Sequence, residues 1–275
     1  MQNAAENRNL QSLSIRLPEK RFSDSGREQE RDQQKLRLRQ IERYNSKAGD
    51  LTGYDCELCH NKGHSLRLMD GREVYEECRC MEIRKSLRQI KLSGLERAIQ
   101  SKTFATFEER EDWQQRMKEK AVQYAKNPAG WFIACGQPGS GKTHICTAIA
   151  GELLRRGIAV RYMLWREDSV PLKAVTTDKE EYFRRMEPLK KAQCLYIDDL
   201  FKGGTSAPDL KLAFELLDYR YRNDLPTILS TEKNLNDLDE IDEGIGSRIR
   251  EMSQGQRVWI ARDKRKNWRY GENIE

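Results

Sequence analysis

The stretch that most restricts the fold of this chain is Gly136-Gln137-Pro138-Gly139-Ser140-Gly141-Lys142-Thr143, which stands between an apolar run and a helical pattern. Glycines at 136, 139 and 141 permit positive-φ backbone, so successive N–H groups can converge on phosphate oxygens at a helix N-terminus. Lys142 is spaced to reach the β and γ oxygens, Thr143 to ligate the Mg²⁺ between them, and His144 to border the same nucleotide. The flanks agree. Trp131-Phe132-Ile133-Ala134-Cys135 reads as a buried strand, and Ile145, Ala148, Ile149 and Leu153 recur at helical spacing until Gly157. A strand, phosphate loop and helix in that order imply an ATP site with Mg²⁺.

Such a site needs a carboxylate for its metal. Cys194-Leu195-Tyr196-Ile197-Asp198-Asp199-Leu200 is an apolar strand ending in two acids. Asp198 is placed to hold Mg²⁺ through water, and Asp199 to polarise an attacking water. A further apolar run, Leu225-Pro226-Thr227-Ile228-Leu229-Ser230-Thr231, also turns polar at its end. In an open α/β sheet that end faces the ligand. Ser230, Thr231 and Asn234 are therefore three candidates for a side chain that senses the γ-phosphate, and the spacing does not choose among them. Arg248, in Ile245-Gly246-Ser247-Arg248-Ile249-Arg250, is a candidate for a transition-state cation supplied from a neighbouring subunit.

Further strands are expected at 159–164 and 257–260, and helices at 108–126 and 208–222, the latter with Leu210, Ala213, Phe214 and Leu217 on one face. This alternation predicts an α/β fold with a parallel sheet flanked by helices.

Seven cysteines in a chain read as cytoplasmic call for metal or burial rather than disulfides. Cys56-x2-Cys59 and Cys78-x-Cys80 flank a predicted hairpin around Leu66-Arg67-Leu68 and Val74-Tyr75, with turns at Lys62-Gly63 and Asp70-Gly71-Arg72. Four thiolates brought together there suit tetrahedral Zn²⁺, which a module this small needs in order to fold. His60 and His64 are nearby alternatives, read as surface residues. Cys135, Cys146 and Cys194 lie in apolar contexts and read as core.

Charged residues make up 34% of the chain, and no apolar stretch approaches a membrane span or a signal core. The net charge of +6, with basic runs at 84–88 and 262–266, points toward nucleic acid. Residues 1–50 are polar and read as disordered or ordered by a partner, with a weak apolar face of Leu36, Leu38, Ile41 and Tyr44.

From about Cys56 onward the chain resembles the DnaC/DnaI-type replicative helicase loaders, the IstB-like branch of AAA+ ATPases, in its phage or Gram-positive form. The resemblance rests on Glu77-Cys78-Arg79-Cys80-Met81, Ser93-Gly94-Leu95, Thr103-Phe104-Ala105-Thr106-Phe107, the phosphate loop, the Asp198-Asp199 pair, Ser230-Thr231 and Gly246-Ser247-Arg248-Ile249. One departure is Glu232, where relatives often have Asn.

The resemblance implies an AAA+ domain over 96–275, preceded by a zinc module and basic connecting helix over 51–95. It also implies Arg248 acting in trans within an oligomer or helicase-bound ring, and an adenine site walled by Phe104 to Phe107. The implied function is ATP-dependent loading of a hexameric replicative helicase onto single-stranded DNA. The competing readings are a transposition helper ATPase of the IstB type and a zinc-containing adaptor with a non-hydrolysing nucleotide site; a small-molecule kinase is disfavoured, because no lid is evident.

Overall fold

Runs made wholly of apolar residues become strands covered on both faces, and the amphipathic segments between them become the covering helices. The computed structural model describes residues 24–92 and 95–270; residues 1–23, Ser93-Gly94 of the predicted turn, and 271–275 lie outside it. A helix α1 (Asp24–Asn45) leads to a hairpin of β1 (His64–Met69) and β2 (Arg72–Glu77), followed by α2 (Cys80–Leu92), α3 (Leu95–Ser101) and α4 (Asp112–Lys126). Next come β3 (Trp131–Gly136), α5 (Lys142–Arg155), β4 (Val160–Leu164), α6 (Trp165–Ala174), α7 (Lys179–Lys190) and β5 (Cys194–Asp198). The last elements are α8 (Ala207–Arg222), β6 (Thr227–Thr231), α9 (Leu235–Ile241), α10 (Glu243–Met252) and β7 (Arg257–Ile260), followed by two short 3-10 turns.

The larger sheet has strand order β4-β5-β6-β3-β7, and every pair in it is parallel. In β3 successive side chains divide between two cores. Phe132 and Ala134 pack with Met117, Tyr124, Ile145 and Ile149 of α4 and α5. Trp131, Ile133 and Cys135 face Trp165, Leu212, Leu216 and Ile245 of the helices on the other side. Parallel pairing brings Gly136, Asp198 and Ser230 to the same edge, with Cys135 opposite Thr231 and Ile197 opposite Leu229. Cys135, Cys146 and Cys194 are core residues, as their apolar contexts predict.

Two differences from the expected elements have local causes. The helix expected from Glu108 begins at Asp112, because the Gln114 side chain accepts the N–H groups of Arg110 and Glu111 at 2.9 Å each and holds them outside the helix. Helices α6 and α7 were not anticipated. Each contains a proline and is densely charged, which hides a short buried face: Trp165, Ser169 and Leu172 in one, Met186 and Leu189 in the other.

Within the segment read as disordered or partner-ordered, 24–45 is helical and its end grips the hairpin. Asn45 exchanges two hydrogen bonds with the Leu66 backbone, both 2.9 Å, and Lys62 caps the carbonyls of Tyr44 and Asn45 at 3.0 and 2.8 Å. Of its apolar face, Ile41 is buried while Leu36 and Leu38 are exposed. Among the described residues no helix is long and apolar enough to cross a membrane.

Candidate nucleotide and thiolate sites

The phosphate loop leaves β3 at Gly136, whose φ of +130° and closeness to the Ile260 carbonyl leave no room for a Cβ. Gly141, at φ +85°, is the N-cap of α5 and turns the chain so that the first N–H groups of that helix face the cleft. Lys142 is buried, donating to the carbonyls of Gly136 and Gln137 at 2.8 and 2.7 Å, and burial lowers its pKa while Glu232 and Asp199 act in the opposite sense. Pro138, Gly139, Gly141, Lys142, Thr143 and His144 line a cleft of about 200 Å³. Gln137 and Ser140 are turned inward: Gln137 holds the Asp263 backbone through two 2.7 Å hydrogen bonds, and Ser140 donates to the Gln137 carbonyl at 2.9 Å.

The strand end brings the acids alongside. Asp198 is buried, with Oδ1 receiving the Thr143 hydroxyl at 3.2 Å and the Ser230 hydroxyl at closer range, and Oδ2 receiving the Tyr162 hydroxyl at 3.4 Å. Three hydroxyls thus orient one carboxylate beside the loop, the arrangement a Mg²⁺ site requires of its supporting groups. Asp199 takes a left-handed φ of +57°, its N–H donating to Ser230 Oγ at 2.9 Å and its carboxylate pairing with Lys202 at 2.8 Å.

Of the three sensor candidates, Ser230 is joined to both acids, while Thr231 donates to the Leu200 carbonyl at 2.8 Å and Asn234 caps α9 by accepting the Asp237 N–H at 2.9 Å. The latter two are committed to local structure. Glu232 instead lines the cleft and pairs with Lys202 at 3.3 Å. Arg248 does not line the cleft. It lies on α10 against α8, bound to Asp218 at 2.9 Å and to the Gly244 carbonyl at 2.7 Å, and stacked over Phe214 and Tyr221.

Phe107 packs edge-on to His144 at 5.2 Å and beside Gly141, so the segment expected to wall the base does border the loop. Lys102, Lys202 and Arg269 also line the cleft and were not singled out from the sequence. For Lys202, proximity to Asp199 was a usable signal; Arg269 arrives by a fold-back of the segment after β7, whose Trp268 N–H donates to the Gly139 carbonyl at 3.0 Å. A larger groove of about 660 Å³ lies elsewhere, among ion-paired surface chains such as Asp239 and Arg250.

The sulfurs of Cys56, Cys59, Cys78 and Cys80 all lie within 4.8 Å of one another. Cys56 to Cys78 is 3.7 Å and Cys59 to Cys80 is 3.6 Å. A tetrahedral zinc with bonds of about 2.3 Å separates its sulfurs by about 3.8 Å, so the donor set and its spacing fit that ion. Burial opposes ionisation of Cys59, but the Gly63 N–H at 3.3 Å and the neighbouring thiols bring its pKa down to about 7. His60 is exposed and His64 bonds the Tyr44 hydroxyl, so neither belongs to the cluster. Arg84, from one basic run, is spent on the same module, donating to the carbonyls of Thr52 and Tyr54 at 2.6 and 2.7 Å.

A family model described as IstB-like ATP binding protein matches residues 57–244. The chain belongs to the IstB-like ATP-binding family. Among relatives of this IstB-like chain, the phage-like element PBSX protein XkdC of Bacillus subtilis is 35% identical over 77% of this chain and 84% of its own. The replicative helicase loader DnaC of Escherichia coli is 25% identical over 67% of this chain and 75% of its own.

Solved structures share the fold. The DnaC helicase loader matches with a TM-score of 0.52 at 18% identity, covering 61% of this chain and 99% of that one. DnaI matches with a TM-score of 0.51 at 20% identity, covering 60% and 92%. The IstB-like chain therefore shares their fold, a parallel sheet flanked by helices as the alternation of its elements predicted and of AAA+ type as the resemblance implied.

Proposed function

We propose that this chain is an ATP-dependent loader of a replicative helicase onto single-stranded DNA. The observation that carries the reading is α2, which begins at Cys80 in the thiolate cluster and carries Ile90 into the core formed with α4 and α5. In this reading one helix would join a 51–95 module that grips a partner to a 96–275 ATPase core that changes that grip. The relative named as a replicative helicase loader supports the same reading.

In this proposal Lys142 and the α5 N-terminus hold the phosphates, Thr143 and Asp198 hold the metal side, and Asp199 orients the attacking water. Ser230 keeps both acids in place. Bound Mg²⁺ would neutralise charge between the β and γ oxygens. The four cysteines hold Zn²⁺ as a structural ion. Arg248, turned away from the cleft of its own chain, serves a neighbouring subunit; mixing Arg248→Ala with Lys142→Ala protein should then restore ATPase, and a mixture no better than either variant alone counts against it.

The test is the mass of the complex formed with the replicative helicase of the host, with and without ATP. A stable complex that is lost on deleting 1–95 supports loading. Absence of a complex in either state, alongside ATPase activity that disappears in Lys142→Ala, would instead favour the transposition-helper reading.

A further inference from the structure

Asp199-Leu200-Phe201-Lys202-Gly203-Gly204 forms a turn clamped from both sides. The Leu200 N–H donates to the Ser230 carbonyl at 2.8 Å, and the Leu200 carbonyl accepts the Thr231 hydroxyl at 2.8 Å. The Phe201 ring is buried edge-on against Trp165 at 5.5 Å, and the Lys202 N–H closes the turn onto the Asp199 carbonyl at 3.0 Å. Asp199 and Phe201 both adopt left-handed φ, +57° and +60°, which non-glycine residues seldom take unless their surroundings hold them there. With Leu200 and Phe201 buried, this backbone delivers Lys202 into the phosphate cleft.

There Lys202 lies between two carboxylates, 2.8 Å from Asp199 and 3.3 Å from Glu232. All three line the cleft with Lys142 and Thr143. Without a cation at this point, two acids would confront the most negative end of a nucleoside triphosphate. Lys142 and the glycine loop are the groups placed for a β-phosphate, which ATP and ADP share. Lys202 stands instead on the wall carrying Asp199 and Glu232, beside the metal carboxylate.

We propose that Lys202 is the group through which this site distinguishes a nucleoside triphosphate from a diphosphate. An anionic oxygen of the terminal phosphate replaces the carboxylates as its partner, and the Asp199 carboxylate is released as it does so. The inference rests on the nucleotide reading of this cleft.

The experiment is equilibrium binding of Mg²⁺-ADP and of a Mg²⁺-bound non-hydrolysable ATP analogue to the full chain. It compares wild type, Lys202→Met, Lys202→Arg and the Lys202→Met/Glu232→Gln double variant. Lys202→Met should weaken analogue binding about tenfold and ADP binding less than about twofold, the size expected for one charge-assisted contact. Lys202→Arg should stay close to wild type. The double variant should recover only the part of the loss due to the uncompensated Glu232 charge, because the contact to the terminal phosphate is still missing.

Equal losses for both nucleotides, or full recovery of analogue binding in the double variant, would overturn the role given to Lys202. Wild-type protein that binds neither nucleotide, or binding unaffected by Lys142→Ala, would overturn the nucleotide reading itself and Lys202's role with it.

Discussion

The Ser230 hydroxyl donates to Asp198 Oδ1 and at the same time receives the Asp199 N–H at 2.9 Å. One buried oxygen therefore couples the Asp198 carboxylate, proposed to face Mg²⁺, to the backbone that aims the second acid. Ser230→Ala removes both interactions without adding bulk. It should lower Mg²⁺-dependent turnover by about 10- to 100-fold, the range seen when groups supporting a metal ligand are lost. Nucleotide binding without Mg²⁺ should be unchanged, and a Mg²⁺ titration of binding and turnover separates the two effects. Equal loss in both would assign Ser230 to the nucleotide rather than to the acids.

Purified protein should contain about one zinc per chain. Chelation should unfold the β1–β2 hairpin and the docked end of α1, because the three-sulfur core of Cys56, Cys59 and Cys80 offers little apolar area of its own. The core around the five-stranded sheet should survive as a separate, later thermal transition. Metal-free protein with a single unchanged transition would refute the structural role of zinc.

Arg220 is fully buried and, among the described residues, has no carboxylate as a hydrogen-bond partner. It donates to Thr227 Oγ1 at 2.9 Å and to the carbonyls of Leu189, Lys190, Ala192 and Pro226 at 3.1, 2.9, 3.0 and 2.6 Å. Burial pulls its pKa down to about 10, yet it remains charged at neutral pH. It ties the end of α7 to the start of β6. Arg220→Met leaves several buried carbonyls unpaired and should cost at least about 3 kcal/mol in urea denaturation. A loss below about 1 kcal/mol would mean that water or backbone shifts replace it.

Asp209 caps α8 with Ser206 and pairs with Lys173. Burial works against its charge, but Lys173 and the Ser206 hydroxyl and N–H outweigh it and hold the carboxyl below its ordinary pKa. A depressed carboxylate adds stability above the unfolded pKa of about 4 and loses it as pH falls through the folded value. Asp209→Asn should therefore cost about 1 kcal/mol near pH 7. The gap from wild type should shrink below about pH 4, as denaturation midpoints across pH would show. A gap that does not depend on pH would assign the effect to shape rather than charge.

Contiguous chemistry was legible from residue order. The glycines and Lys142-Thr143, the apolar strand ending at Asp198-Asp199 and the paired cysteines each carry their meaning within a few residues, because backbone freedom, periodicity and ligand spacing act locally. The parallel α/β class followed from their alternation. Proline and dense charge masked α6 and α7, where only a short face is buried.

Contacts between distant segments were decided by the tertiary structure. Sheet pairing set Ser230 against Asp198, and packing of Leu200 against the end of β6 and of Phe201 against Trp165 turned Lys202 into the cleft. The segment after β7 folded back onto Gly139, bringing Arg269 to the cleft. A side chain's free donors and acceptors depend on every neighbour the fold supplies, and those neighbours lie tens of residues away along the chain.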